Sequence, residues 1–256
     1  MPGACPPGPP PGPPPRKGGA GLVIALLAAG LAVAVVAVVG AVLLTRDGEA
    51  EGGDDPPRQR LLVGQIAGGA EARPGEDGSL TMVRPGVTSP VVEIYADFAC
   101  PHCGTFDRMV DPMLKRLAVD GKAKVIYRPM VIFSKGMEPM HGNSLRAASA
   151  MRCLGDGARW LAYQDALYAH QPGSQYTRGY ELADLVSYAA PLGVGDAAFR
   201  ECVNEQRYAS SVLATSGRYT SEGVGGTPTV RVDGRALPTS ALGSAEEIRR
   251  AIENGG

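Results

Sequence analysis

Histidine and cysteine are scarce in this chain of 256 residues: three of the first (His102, His141, His170) and five of the second. Five cysteines are too few for a disulfide-dense scaffold. One Cys-x-x-Cys pair is present, with no second such pair and no Cys-x-x-His, so a zinc site would lack two of its four ligands and no metal is expected. Net charge is -1, which leaves no excess positive charge to hold nucleic acid, and none is expected as a partner. No internal repeat is visible. Charge is missing altogether from Leu22 to Leu44.

That uncharged run sets the expected organisation. Its 23 residues would span about 35 Å as a helix, enough for a hydrocarbon core of ~30 Å. Arg16 and Lys17 precede it; Arg46 and then Asp47, Glu49, Glu51, Asp54 and Asp55 follow. Basic flanks stay on the cytoplasmic side. The expectation is a single-pass anchor over residues 21–45, with the N-terminus cytoplasmic and the remainder extracytoplasmic. A cleaved signal peptide is the alternative, but its apolar region is usually roughly 7–15 residues long. No cysteine closes the run, which argues against a lipoprotein. Residues 1–20 read as a Pro-rich cytoplasmic head, polyproline-like and coreless, with nine prolines in the first fifteen residues and Cys5 among them. Residues 46–77, acidic and rich in Gly and Pro, read as a flexible linker. The folded domain is expected over 78–256.

Within that domain Leu80–Val83 is a short strand candidate. Val91–Phe98, rich in β-branched and aromatic residues, reads as a central strand. Phe106, Met109, Val110, Met113, Leu114 and Leu117 recur at helical spacing over Cys103–Val119, with Pro112 expected to kink the helix and Gly121 to end it. Lys124–Arg128 is the next strand. Strand, helix, strand is a βαβ unit, so these two strands should be parallel. Residues 143 to about 222 are helical, with Trp160, Tyr163 and Leu167 as core. His141 and His170 read as surface or loop residues. Thr229–Leu237 is strand, Asp-Gly turn, strand. Ser244 caps a last helix that carries Glu246 and Glu247 in its first turn.

The chemistry sits where the central strand meets its helix. Cys100-Pro101-His102-Cys103 places two thiols at the start of a helix, close enough to close a small disulfide. The first thiol lies where unpaired backbone N–H groups and the positive end of the dipole favour a thiolate. Such an arrangement exchanges disulfides. Asp97-Phe98-Ala99-Cys100-Pro101-His102-Cys103-Gly104, a helical insertion, and Thr227-Pro228-Thr229 opening a hairpin together resemble the DsbA-like branch of the thioredoxin superfamily, over residues 79 to 254.

The resemblance implies an α/β thioredoxin fold with an inserted helical domain at about 137–222, preceded by the transmembrane helix. It makes Cys100 the exposed nucleophile and Cys103 its buried partner, with Pro101 and His102 tuning them. Pro228 would be a cis-proline that, with Thr227, pairs with an extended substrate segment. Cys153 and Cys202 would form a structural disulfide, as in actinobacterial members. The implied activity is introduction of disulfides into exported proteins with free thiols, without a cofactor. The implied membrane reoxidant is of the DsbB or vitamin K epoxide reductase type. A reductase or isomerase, and a non-catalytic peptide-binding module at the cell surface, are the competing readings. One departure stands out. DsbA proper carries a buried glutamate six residues before the nucleophile; here Ile94 occupies that position. Asp97 is then either the acid that serves the buried thiol or a satisfied strand-end carboxylate. Met130–Phe133, Met137 and Met140 either line a peptide groove or pack in the ordinary way.

Overall fold

The computed structural model describes residues 61–255. The expected head and anchor, Cys5 and the first part of the linker lie outside them. Among the described residues no helix is long and apolar enough to cross a membrane.

Among the described residues seven strands make one mixed sheet: β1 (Gly64–Gln65), β2 (Glu71–Pro74), β3 (Leu80–Val83), β4 (Val91–Ala96), β5 (Lys124–Pro129), β6 (Thr229–Val232) and β7 (Arg235–Ala236). Their order across the sheet is β1-β2-β3-β5-β4-β6-β7. Only β4 and β5 run parallel, Val92 opposite Val125 and Ile94 opposite Tyr127; the other neighbours are antiparallel. The parallel pair is the crossover expected from strand, helix, strand, with α1 (Pro101–Val119) as the connection. β4 lies inside the sheet and is covered on both faces. Val92 and Ile94 join the main core with Phe106, Val110 and Leu114 of α1, and Tyr95 joins a smaller cluster with Met130, Tyr219 and Val224. α1 continues through Pro112, whose ring is exposed, so its missing N–H costs no buried partner.

The sheet begins earlier than the composition suggested. Composition places residues 61–77 in the linker, yet β1 and β2 fall there and extend the sheet beyond β3. Ala70 and Ala72 are fully buried. A helix rests directly on β2: a Cβ on Gly157 would stand 2.0 Å from the Ala72 carbonyl oxygen. Small residues pack closely without an apolar run to announce them.

Between β5 and β6 the chain forms the inserted helices α2 (Met140–Arg152), α3 (Gly157–Ala169), α4 (Leu182–Ala189), α5 (Ala197–Asn204) and α6 (Ala209–Ser221). Trp160, Tyr163 and Leu167 of α3 are in the main core. Cys153, at the end of α2, and Cys202, in α5, are joined by a disulfide with Cα atoms 5.9 Å apart. His141 is buried rather than on the surface, because its Nδ1 pairs with the Phe133 carbonyl oxygen at 2.8 Å. At the β6–β7 turn both Asp233 (φ 46°) and Gly234 (φ 83°) are left-handed, as a two-residue hairpin turn requires. The Ser244 hydroxyl accepts from the Glu247 N–H and caps α7 (Ala245–Glu253).

Candidate functional site

Cys100 is the residue that caps the N-terminus of α1, and the next residue, Pro101, occupies the first helical position. Proline suits that position because its N–H would have no partner there. Cys103 follows one turn in. Both are free thiols and both are buried: Cys103 as expected, at 1% exposure, and Cys100, expected to be exposed, at 5%, because the Thr227 loop packs against it. They lie in different surroundings. The Cys100 thiol donates to the carbonyl oxygen of Thr227 at 3.3 Å, across the bond to Pro228, which is cis. The Cys103 sulfur accepts from the backbone N–H of Asp97 at 3.4 Å and packs into the core.

These surroundings drive the two thiols apart. The Cys103 thiol donates to Cys100, and Thr227 and the backbone N–H groups of Cys103 and His102 reinforce it. Together they outweigh burial and bring the Cys100 thiol down to about 5. Burial, and then the neighbouring Cys100, push the Cys103 thiol well above the ordinary thiol range. His102 acts here through its backbone. Its imidazole is exposed and makes no hydrogen bond among the described residues. The Thr227 hydroxyl is buried beside both thiols, makes no other hydrogen bond, and favours the Cys100 thiolate.

A groove of about 300 Å³ opens at Cys100, walled by Pro101, His102, Ile132, Phe133, Gln175 and Thr227. Of the apolar stretch considered for such a groove, Ile132 and Phe133 line it, whereas Met130, Val131 and Met140 are buried and Met137 is exposed away from its walls.

Asp97 is fully buried. Its carboxylate accepts from the Ala99 N–H at 2.8 Å, the Ser144 hydroxyl at 2.6 Å and the Ile132 N–H at 2.9 Å. It ties the loop before Cys100 to α2 and to the segment after β5. Burial pushes this carboxyl up to about 7 despite those three donors. Gln171, just beyond α3, does similar work. Its amide donates to the carbonyl oxygens of Phe98 at 2.7 Å and Cys100 at 2.9 Å. The contact is close enough that a Cβ on Gly104 would stand 2.1 Å from Gln171 Oε1. No local pattern marks Gln171 or Ser144, because their partners lie 71 and 47 residues away.

A parallel β4–α1–β5 crossover, thiols at the N-terminus of its helix, and a cis-proline loop facing them define one class of protein. A model of the thioredoxin family matches residues 87–254, and the chain belongs to that family, in its DsbA-like branch. The solved structures similar to it include the reduced disulfide bond oxidoreductase DsbG of Mycobacterium tuberculosis (28% identity, TM-score 0.56, covering 68% of this chain and 82% of that one). BdbD of Bacillus subtilis shares the fold at 18% identity, with a TM-score of 0.60 over 77% of this chain and 98% of that one. Among curated proteins, the Na(+)/H(+) antiporter NhaA 3 of Salinispora tropica is 28% identical over 180 residues, 70% of this chain and 25% of that protein. The chain thus spans about a quarter of the length of such relatives.

Proposed function

We propose that this protein is an extracytoplasmic thiol–disulfide oxidoreductase that passes the Cys100–Cys103 disulfide to exported proteins carrying free thiols. The observation that carries the reading is the asymmetry of the two thiols: Cys100, lowered to about 5, opens on a groove beside Thr227 and cis-Pro228, while Cys103, raised, lies in the core. A stabilised thiolate favours the reduced enzyme, so the oxidised form gives its disulfide away readily.

In the cycle, a substrate thiolate attacks the Cys100 sulfur. The Cys100–Cys103 bond breaks, a mixed disulfide forms, and Cys103 takes up a proton. A second substrate thiolate then attacks the substrate sulfur of that bond. Cys100 leaves as a thiolate, and the substrate has lost two electrons to the enzyme. A membrane oxidase of the DsbB or vitamin K epoxide reductase type takes those electrons in turn. Cys100 is the nucleophile and leaving group. Cys103 is the resolving thiol. Pro101 starts the helix, the His102 backbone favours the thiolate, and Thr227 with Pro228 presents backbone groups to the substrate. Cys153 and Cys202 brace the insertion. Residues 21–45 hold the protein in the membrane.

Equilibrating the protein with glutathione buffers measures the reduction potential of Cys100–Cys103. A potential well above that of the glutathione pool is expected of a disulfide donor. A potential near that of thioredoxin would overturn this direction and assign the site to reduction.

A further inference from the structure

A second, small cavity of about 20 Å³, room for a single water, lies against the buried thiol, with Ile94, Cys103, Asp107, Asp111, Gln164 and Tyr168 in its wall. Cys103 and Asp107 are one helical turn apart on α1 and so share a face. Asp111 is committed elsewhere: it accepts from the Tyr127 hydroxyl at 2.7 Å and pairs with Lys115 at 2.7 Å. Lys115 also pairs with Asp165 at 2.5 Å. Asp107 is half-buried and makes no hydrogen bond to any described residue. Gln164 is only 5% exposed, and its amide likewise has no hydrogen-bond partner among the described residues. An uncommitted carboxyl and an uncommitted amide in one small cavity can hold an ordered water.

We infer that Asp107 is the proton acceptor and donor for Cys103, acting through water held in this cavity by Gln164. The inference rests on the disulfide-exchange reading and deepens it. The strand position facing the thiol is apolar Ile94, and the acid comes from the helix instead. Asp97 is not in the cavity wall, and its carboxylate already serves three donors. When Cys100 is bonded to a partner sulfur, the Cys103 thiol passes its proton through water to the Asp107 carboxylate. The resulting thiolate attacks Cys100 Sγ. The Cys100–Cys103 bond forms, and the partner leaves as a thiolate. In the opposite direction Cys103 leaves Cys100 as a thiolate, and the Asp107 carboxylic acid returns the proton.

The charges around Asp107 suit this task. Burial, with Asp111 and Asp165 nearby, pushes its carboxyl up to about 8, against Lys115 and Arg108. Tyr127 and Arg128 from β5 are the remaining polar side chains in the wall, with Ala96, Phe98, Phe106 and Pro129 beside them. The proton thus sits on a group whose affinity lies near working pH, where general acid–base transfer is most effective.

The test mixes the reduced protein with oxidised glutathione and acid-quenches it over time. Formation of the Cys100–glutathione mixed disulfide reads the Cys100 step, and its decay reads the Cys103 step. In the wild type the decay rate should rise and level off with a midpoint near pH 8, as Asp107 becomes the base. Asp107→Asn should slow decay by at least about tenfold at pH 8 and remove the plateau, leaving formation unchanged. Asp107→Glu should restore the plateau, and Gln164→Leu should slow decay alone. Decay in Asp107→Asn that matches the wild type, or keeps a bend near 7 traceable to Asp97, would overturn the inference and leave the function standing. A wild type that forms no mixed disulfide would overturn both.

Discussion

Replacing Cys153 and Cys202 together with alanine separates the stability of the insertion from the chemistry of the site. The two residues are 49 apart in sequence and nearly fully buried. Opening a loop of that size returns to the unfolded chain an entropy worth about 4 kcal/mol on the chain-entropy relation. For a folded unit of this size each kcal/mol moves Tm by about 2–4 °C, so the double variant should melt about 8–16 °C lower. The effect acts mainly on the unfolded ensemble, so the folded site should keep its geometry. The bond joins α2 to α5, and neither cysteine lines the groove at Cys100. The assay is a thermal melt without reductant, alongside the rate of exchange between Cys100 and oxidised glutathione at a temperature where both proteins are folded. Exchange should stay within about twofold, since no contact to the reacting atoms is lost. A melt lowered by less than about 3 °C would refute the entropy argument. A folded variant with no exchange would refute the bracing role.

Three further outcomes follow from named contacts. Cys103→Ala removes the thiol that donates to Cys100, so the Cys100 titration, read as thiolate absorbance, should move upward from about 5; an unmoved midpoint would assign the low value to backbone and helix alone. Gly104→Ala places a Cβ against Gln171 and Gly157→Ala places one against β2; each should cost about 1–3 kcal/mol in denaturant unfolding. Adding Gln171→Ala should recover part of the first loss and none of the second. Asp97 binds its proton more tightly in the folded state, about 7 against about 3.9 when unfolded. Its contribution is therefore most favourable below about pH 4, declines as pH rises towards 7, and is level above. Asp97→Asn should flatten the fall of the urea midpoint between about pH 4.5 and 7, and a profile parallel to the wild type would contradict the burial argument.

Patterns with a local cause were legible in the residues themselves. Val91–Ala96 is a strand because its β-branched and aromatic side chains suit a pleat covered on both faces. α1 and the capped last helix follow from spacing and from Pro101 and Ser244 at their starts. The Asp233–Gly234 turn follows from residues that accept left-handed backbone. The Cys-Pro-His-Cys segment and the Thr-Pro pair carried the family resemblance in the same way. β1 and β2 were not legible. Their strands are short, and alanine and glycine earn their place by allowing close approach, a property that composition assigns to linkers.

What the sequence by itself determined is the set of chemical groups and the local structures that carry them: two thiols at a helix start, a proline before a hairpin, and a run of inserted helices. Position at the helix start already favoured Cys100 as the acidic thiol; tertiary structure decided how far the two thiols part. Cys100 and Cys103 are the same side chain, three residues apart on one helix. They part further because the Cys103 thiol donates to Cys100 and the Thr227 hydroxyl, brought from 127 residues away, lies beside it, while the core closes over Cys103. Tertiary structure also decided that Gln171 holds the loop and that Asp107 shares a cavity with the buried thiol. An ionisable group takes its proton affinity from everything within a few ångströms, and most of those neighbours are far away along the chain.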